Sequence, residues 1–340
     1  MPNCGTQVVL CDLPIRFDTY KGCSHQCKYC FVQNKTDLAN IGKGETVKSL
    51  RDFIEGKRTK ETRWCDWDIP LHWGGMSDPF QPAEKKNKLS LECLKLFKET
   101  QYPFVVSTKG KLICEGEYFE LIKECNCVIQ ISLVCPEYDR IELGAPTFAE
   151  RLEMVRTLAK YKRVNARIQP YMIETHDSTM NSIRQLAEAG AYGIIVEGMK
   201  FRRRKDGLVK VGADYCYPLD ELSERFAEMK AEAHRLGMKF YSGENRLRRM
   251  GDHLCCCGID GLEGFRGNNY NLNNIINGHV EKPTESMNEP GTATPFNAMY
   301  QIAGISKYLK DASFKDMMLS ELSNKPKYYM EMFGQSVPGQ

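Results

Sequence analysis

The chain has 340 residues, enough for one large α/β barrel domain or two smaller domains with a sizeable buried core. Its 47 basic residues against 44 acidic ones leave a net charge of +3, which excludes an avid, sequence-indifferent nucleic-acid coat and confines any anionic partner to a local patch. Fifteen cysteines would suggest disulfides in a secreted protein, but the start Met-Pro-Asn-Cys-Gly lacks a signal peptide's basic region and apolar run, and no apolar stretch is long enough to cross a bilayer; a reducing, cytoplasmic setting without membrane contact is expected.

In chain order, Ile15 to Tyr20 reads as a short strand and Thr46 to Lys57 as a helix with Val47, Leu50, Phe53 and Ile54 on one side. A strand over Asp68-Ile-Pro-Leu-His-Trp ends in paired glycines. The alternation continues with helix Lys88 to Thr100, strand Phe104 to Lys109, helix Gly116 to Cys125, strand Val128 to Val134, and helix Thr147 to Tyr161. Phe148, Leu152, Val155 and Ala159 make this last helix amphipathic. Strand Asn165 to Ile173, helix Thr179 to Ala189, strand Gly193 to Glu197, a helix opened by Asp220 and closed by Gly237, and a strand from Lys239 complete the series. Six or seven β-then-α units without hairpin signals predict parallel strands with right-handed crossovers, closed as a partial or modified TIM-type β/α barrel. From Gly251 the texture changes: Cys255-Cys256-Cys257, an Asn-rich stretch Asn268 to Asn277, and a helical tail from about Thr294 to Leu322. Residues 1–250 are therefore expected to be the barrel core, and residues 251–340 an extension packed over or beside it.

Chemistry concentrates in Gly22-Cys23-Ser24-His25-Gln26-Cys27-Lys28-Tyr29-Cys30. Three thiolates on one short loop suit three irons of a [4Fe-4S] cube and leave the fourth iron open to a ligand. Zinc is the rival, but it wants a fourth ligand, and His25 lies inside the spacer where it could not easily turn onto the same ion. Three structural cysteines are the bland alternative.

This loop resembles the cluster motif of the radical S-adenosylmethionine (radical SAM) superfamily. The resemblance implies that Cys23, Cys27 and Cys30 hold a [4Fe-4S] cluster, that Tyr29 packs on the SAM adenine, and that SAM cleavage yields a 5'-deoxyadenosyl radical that takes a hydrogen from substrate. It also implies an electron donor such as flavodoxin or ferredoxin.

In a parallel barrel the loops after the strands meet at one mouth. Gly74-Gly75-Met76-Ser77-Asp78 resembles the superfamily's glycine-rich motif, whose exposed backbone receives the SAM amino group; a side chain there would block that approach. Ser77-Asp78, Ser107-Thr108-Lys109, Ile131-Ser132-Leu133 and Glu142-x-Gly-Ala-x-Thr147 with Glu150-Arg151-Leu152 occur in order and resemble the spore photoproduct lyase branch over roughly residues 15–200. By that resemblance Ser77, Lys109 and Ser132 contact SAM. One position departs: where spore photoproduct lyases carry a cysteine that returns hydrogen to the product radical, this chain has Gly75.

Arg167 and Gln169 alternate with Ala166 and Ile168, so both are expected in the lumen, with SAM, substrate, Glu174 or Glu197 as the partner of the arginine. Glu197, ending an apolar strand, is the carboxylate chosen for substrate or SAM recognition; Glu197 and Arg167 are the candidate catalytic residues and Gln169 a candidate SAM contact. Arg202, Arg203, Arg204 and Lys205 follow the sixth strand, and Arg246, Arg248 and Arg249 the next; together they read as a phosphate-binding wall, against the default of solvated loops. Three adjacent thiols at Cys255 to Cys257 point apart and are expected to be buried or redox cysteines, with a metal site including His253 as the lesser alternative.

The expectation is thus a radical SAM lyase on a small nucleoside or nucleotide, favoured over a damaged nucleic acid by the phosphate-friendly arginines, the balanced charge and the missing hydrogen-donor cysteine. Queuosine or its 5'-phosphate, releasing queuine, is the substrate suggested by general likeness to the queuosine lyases. Lesion repair in nucleic acid, and a non-catalytic iron-sulfur or zinc regulator, are the competing readings.

Overall fold

The computed structural model describes residues 1–4, 11–34, 37–59, 62, 68–211 and 214–267. Seven parallel strands form one sheet in sequence order: β1 (Ile15–Phe17), β2 (Leu71–Trp73), β3 (Phe104–Thr108), β4 (Cys127–Ser132), β5 (Val164–Tyr171), β6 (Gly193–Gly198) and β7 (Lys239–Ser242). Asn3–Cys4 adds an antiparallel edge beside β1. The first and seventh parallel strands do not pair among the described residues, so the fold is a partial TIM-type barrel.

Helices α1 (Val47–Ile54), α2 (Leu89–Thr100), α3 (Gly116–Glu124), α4 (Phe148–Leu158), α5 (His176–Glu188) and α6 (Leu219–Arg235) cover the convex side. Their starts are chemical: Thr46 and Thr147 each accept from the backbone N–H three residues on, and Ser49 and Glu150 answer the cap, satisfying donors that a helix N-terminus leaves free. The main core lies between sheet and helices. Phe17, Trp73, Phe104, Ile129, Ala166, Ile168 and Val196 point into it, and Trp73 touches the rings of Phe17, Phe80, Phe97 and Phe104. Burying each such ring contributes about 2–3 kcal/mol.

Alternate residues face the lumen, which has its own small core. Leu13, Val105 and Val128 pack there with Cys255, Cys257 and Ile259. The chain after β7 turns back, so that the N–H of Asp252 donates to the Phe240 carbonyl, and then crosses the concave side. Gln130 donates to the Cys257 carbonyl (3.0 Å), Arg163 donates to those of Gly258 and Asp260 (3.2 and 2.7 Å), and Tyr241 reaches Asp260 (2.7 Å). Residues 251–267 thus fill the lumen from below; the Asn-rich stretch and the expected helical tail lie outside the described residues.

One hairpin does occur, contrary to expectation: Val209–Val211 pairs antiparallel with Asp214–Cys216. Tyr20–Lys21 also pairs antiparallel with Gly42–Lys43, across the cysteine loop. Both pairs are two or three residues long, too short for alternation to register as a pattern.

Candidate active site at the strand ends

The cysteine loop follows β1 and is fastened on three sides. Cys27 bridges Glu142, Lys28 donates its N–H to the Ile141 carbonyl, and the Gly144 N–H donates to that of His25. The contact is close enough that a Cβ at Gly144 would lie 2.1 Å from the Ser24 carbonyl oxygen. His25 is buried, with Nδ1 2.9 Å from the Gly144 carbonyl and Nε2 3.0 Å from Asp78 Oδ2. Both ring nitrogens are therefore used, and His25 supplies no metal ligand. Gln81 completes the frame, accepting from the Ser24 N–H (2.9 Å).

Asp78 is the junction of the site. Besides His25 it accepts from the Thr108 hydroxyl (2.7 Å) and the backbone N–H groups of Phe80, Lys109 and Gly110. Burial would push its carboxyl up, but His25 and these donors hold it at about 2. One carboxylate thereby ties the cysteine loop to the ends of β2 and β3.

The ledge after β2 excludes a side chain at Gly74 but not at Gly75. Gly74 has φ +88°, and a Cβ there would lie 2.3 Å from the Ser107 carbonyl oxygen, whereas at Gly75 the nearest atom is Arg16 Cδ at 3.4 Å. The ledge is capped by Asp18, whose Oδ1 accepts from the N–H groups of Met76 and Ser77 (3.0 and 3.1 Å) and stands 3.5 Å from the Ser77 hydroxyl. Burial raises the Asp18 carboxyl to about 7 despite those donors.

On the opposite side, Glu142 gathers Tyr29, Lys109 and Arg151. It accepts from the Tyr29 hydroxyl, pairs with Lys109 (3.7 Å), and pairs with Arg151, which is fully buried. Against burial, Lys109 and Arg151 hold its carboxyl below the ordinary value. Lys109 Nζ also stands 5.7 Å over the Tyr29 ring. The residues singled out as a motif at Glu142, Gly144, Thr147, Glu150 and Arg151 therefore brace the cysteine loop and start α4. Ser132 gives its carbonyl to Arg151 (2.7 Å) and lies half-buried beside Arg167 in the sheet register.

A polar row crosses the lumen one layer below the mouth. His72 stands 2.9 Å from the Ser107 hydroxyl, which donates to Gln130 (2.8 Å). Arg167 donates to Gln130 (2.8 Å) and to Gln169, Gln169 donates to Glu197, and Lys200 donates to Glu197. Burial, with Arg167 and Arg16 nearby, pushes His72 down to about 3, so its ring is neutral. Arg167 reaches Glu197 only through Gln169, and Glu174 bonds Tyr217 instead (2.6 Å). Sequence reading placed Arg167, Gln169 and Glu197 in the lumen but missed His72, Ser107's link and Gln130; the inward alternation of β2 to β4 was the available signal.

The phosphate wall divides. Arg202, Arg203, Arg204 and Lys205 are exposed on the segment after β6 that leads into the Val209–Cys216 hairpin. Arg246 is not with them: it is buried, paired with Glu244 (3.1 Å), and donates to the Tyr217 carbonyl. Arg248 is buried too, donating to the Ser242 carbonyl (2.8 Å) and Asn245. These two hold the loop after β7, a role that basic composition alone does not distinguish from anion binding. Among the described residues no three His, Cys, Asp or Glu side chains converge on a single-ion site, neither Cys23, Cys27 and Cys30 nor Cys255 to Cys257 with His253, and no helix is long and apolar enough to cross a membrane.

No family model matches the chain. Uncharacterized proteins of Mycobacterium bovis and Mycobacterium tuberculosis are 25% identical over 234 residues, 64% of this chain and 68% of theirs. Among solved structures, a spore photoproduct lyase complexed with dinucleoside spore photoproduct superposes with TM-score 0.53 at 15% identity, covering 68% of this chain and 77% of that one. A substituted spore photoproduct lyase with bound AdoMet and the same dinucleoside gives 0.52 at 15% over 68% and 76%. Streptococcus suis SuiB bound to S-adenosylmethionine gives 0.50 at 12% over 70% and 52%. The architecture of this chain, a partial β/α barrel, is the fold of these proteins.

Proposed function

We propose that the chain is a radical SAM enzyme acting on a nucleic-acid lesion or a related dinucleoside unit, with residues 1–250 as its core and 251–340 as an extension. The observation that carries this reading is the cysteine loop locked over the strand ends by His25 and Asp78, beside a turn in which Gly74 admits no side chain. The residues fit the cofactors: three thiols on one loop suit a [4Fe-4S] cluster, and the Gly74–Gly75 backbone and Lys109 suit the amino and carboxylate groups of SAM. Bound together, cluster and SAM supply a 5'-deoxyadenosyl radical able to take a hydrogen atom from substrate.

The chain's own part is positioning. Asp78 fixes the cysteine loop relative to the ledge, Asp18 fixes the ledge itself, and Glu142 holds Lys109 and Tyr29 at the loop's edge. Below them Arg167, Gln169 and Glu197 present amide, guanidinium and carboxylate groups to whatever occupies the lumen. Arg202, Arg203 and Arg204 are placed to meet phosphate at the mouth. Gly75 carries no thiol, so no hydrogen returns to the product from that position.

Two of the structural neighbours carry a dinucleoside, and this favours the lesion reading over the expected small nucleotide. The queuosine substrate draws no support from the comparisons, and balanced net charge is weak ground for disfavouring nucleic acid when the arginines are local.

The test is 5'-deoxyadenosine formation by anaerobically reconstituted, dithionite-reduced protein given SAM. Dinucleoside spore photoproduct is supplied in one run and queuosine 5'-phosphate in another. Stimulation by the dinucleoside is expected. Stimulation only by queuosine 5'-phosphate, with free queuine, would replace the lesion reading with salvage. No 5'-deoxyadenosine from protein with an intact cluster would defeat the enzyme reading.

A further inference from the structure

The cysteine loop has an outer side that the site above does not use. Residues 25–28 lie antiparallel to residues 141–144: the Lys28 N–H donates to the Ile141 carbonyl, Cys27 bridges Glu142, and the Gly144 N–H donates to the His25 carbonyl. Side chains alternate between the two faces of such a ribbon. His25, Cys27 and Glu142 are buried on the inner face, whereas Gln26, Lys28 and Leu143 are exposed on the outer one. Phe31 follows Cys30 directly and is exposed as well. Phe31 (53% exposed) and Leu143 (63%) are two of the four large apolar side chains exposed among the described residues. One layer of backbone separates Leu143 from the side chains of Cys27 and Glu142.

The rim of this face is basic. Lys28 and Arg140 belong to the ribbon and the turn before it, and Lys21 and Lys43 to the short antiparallel pair at the start of the loop, where the Cys23 N–H donates to the Leu38 carbonyl (2.9 Å). All four are exposed, and none forms an ion pair among the described residues. Glu137, whose carboxyl Arg140 helps to hold down, is taken by the Ser178 hydroxyl (2.7 Å). The exposed lysines of the helical side differ: Lys48, Lys95 and Lys98 pair with Asp52, Glu92 and Glu124 at 2.9, 2.9 and 2.8 Å. Beside the ribbon a hollow of about 280 Å³ opens between His25, Gly144 and Pro146 on one side and Phe80, Pro82 and Leu112 on the other. Apolar anchors inside a charged rim are the anatomy of a protein-docking face, whereas phosphate contacts would call for the cations alone.

We propose that this outer face, with Phe31 and Leu143 as anchors and Lys21, Lys28, Lys43 and Arg140 as rim, docks a small acidic one-electron carrier of the flavodoxin type; the proposal rests on the radical SAM reading above. An electron crosses protein only over short distances, and a carrier seated behind Cys27 and Cys30 approaches a cluster on those thiols without entering the lumen. The carrier's anionic reduced flavin loses one electron and keeps its proton. The cluster gains that electron, and no bond forms or breaks. Unpaired cations around a small apolar centre suit a brief encounter that charge steers and that ends once the electron has passed.

The experiment uses the full-length, cluster-loaded protein under nitrogen. Bleaching of the cluster by photoreduced flavodoxin is followed by stopped flow, and binding of oxidised flavodoxin by calorimetry. Raising salt from about 20 to about 300 mM is expected to slow the bleaching about tenfold. Lys28→Glu combined with Arg140→Glu, and Leu143→Glu alone, should each slow it and weaken binding by about tenfold, with melting and 5'-deoxyadenosine formation in excess dithionite unchanged. Serine at Arg202, Arg203 and Arg204 should leave rate and affinity as in the wild type. Equal flavodoxin rates and affinities in the wild type and the face variants would overturn the docking face. Displacement of flavodoxin by a single-stranded oligonucleotide would overturn it too, and assign these cations to nucleic acid. Absence of 5'-deoxyadenosine with dithionite counts against the enzyme reading instead, and calorimetry then still decides the face.

Discussion

His25 Nε2 lies 3.0 Å from Asp78 Oδ2, both side chains buried, and this contact joins the middle of the cysteine loop to the end of the second strand. It converts two loops that share no sequence pattern into one rigid frame. In Asp78→Asn the amide turns a donor toward groups that are themselves donors, so the frame should loosen by about 3 kcal/mol. Reconstituted protein should hold substoichiometric iron, measured by iron and sulfide assay. Full iron content with unchanged melting would remove Asp78 from this role.

The same carboxylate sets an acid limit. Its folded value of about 2 lies below the ordinary carboxylate value, so its stabilisation is complete above about pH 4 and lost as pH falls from there toward 2. The shift corresponds to roughly 2–3 kcal/mol. Acid titration of the wild type and Asp78→Asn should show their stability difference shrinking across that window.

Asp18 has the opposite sign. With a folded value of about 7, it stays protonated in the folded chain while the unfolded chain ionises, so stability declines as pH rises from about 4 to 7. Asparagine keeps an acceptor for Met76 and Ser77 and cannot ionise. Asp18→Asn should therefore match the wild type near pH 4 and melt several degrees higher at pH 8; equal melting at both values would refute the assignment.

The two ledge glycines should behave differently. Gly74→Ala meets both a positive φ and a carbonyl oxygen at 2.3 Å, and is expected to cost more than the 1–2 kcal/mol of the backbone strain alone and to abolish SAM binding by calorimetry. Gly75→Cys has room beside Arg16 and should leave melting within about 0.5 kcal/mol of wild type.

The exposed arginines offer a separable test. Replacing Arg202, Arg203 and Arg204 with serine should leave the melting temperature unchanged. If they contact phosphates, the salt dependence of oligonucleotide binding should flatten by about two to three in slope. An unchanged slope would return the run to a solvated loop.

Local pattern was enough to find the strands and helices within a few residues, the strained turn at Gly74 and the inward face of β5. Each of these depends on spacing along one segment: a period of two in a strand, a period of 3.6 in a helix, a turn that excludes Cβ. Sequence could not show that Arg246 and Arg248 are consumed by Glu244, Ser242 and Asn245 while Arg202 to Arg204 remain free of burial, because the direction of a loop side chain depends on what packs against it. It could not show that His25, Asp78, Asp18 and Glu142 frame the site, since the paired residues lie 53, 58 and 113 apart along the chain as His25–Asp78, Asp18–Met76 and Tyr29–Glu142. Chemistry-bearing residue types were written locally; which of them face one another was decided only when the sheet curled and brought its strand ends together.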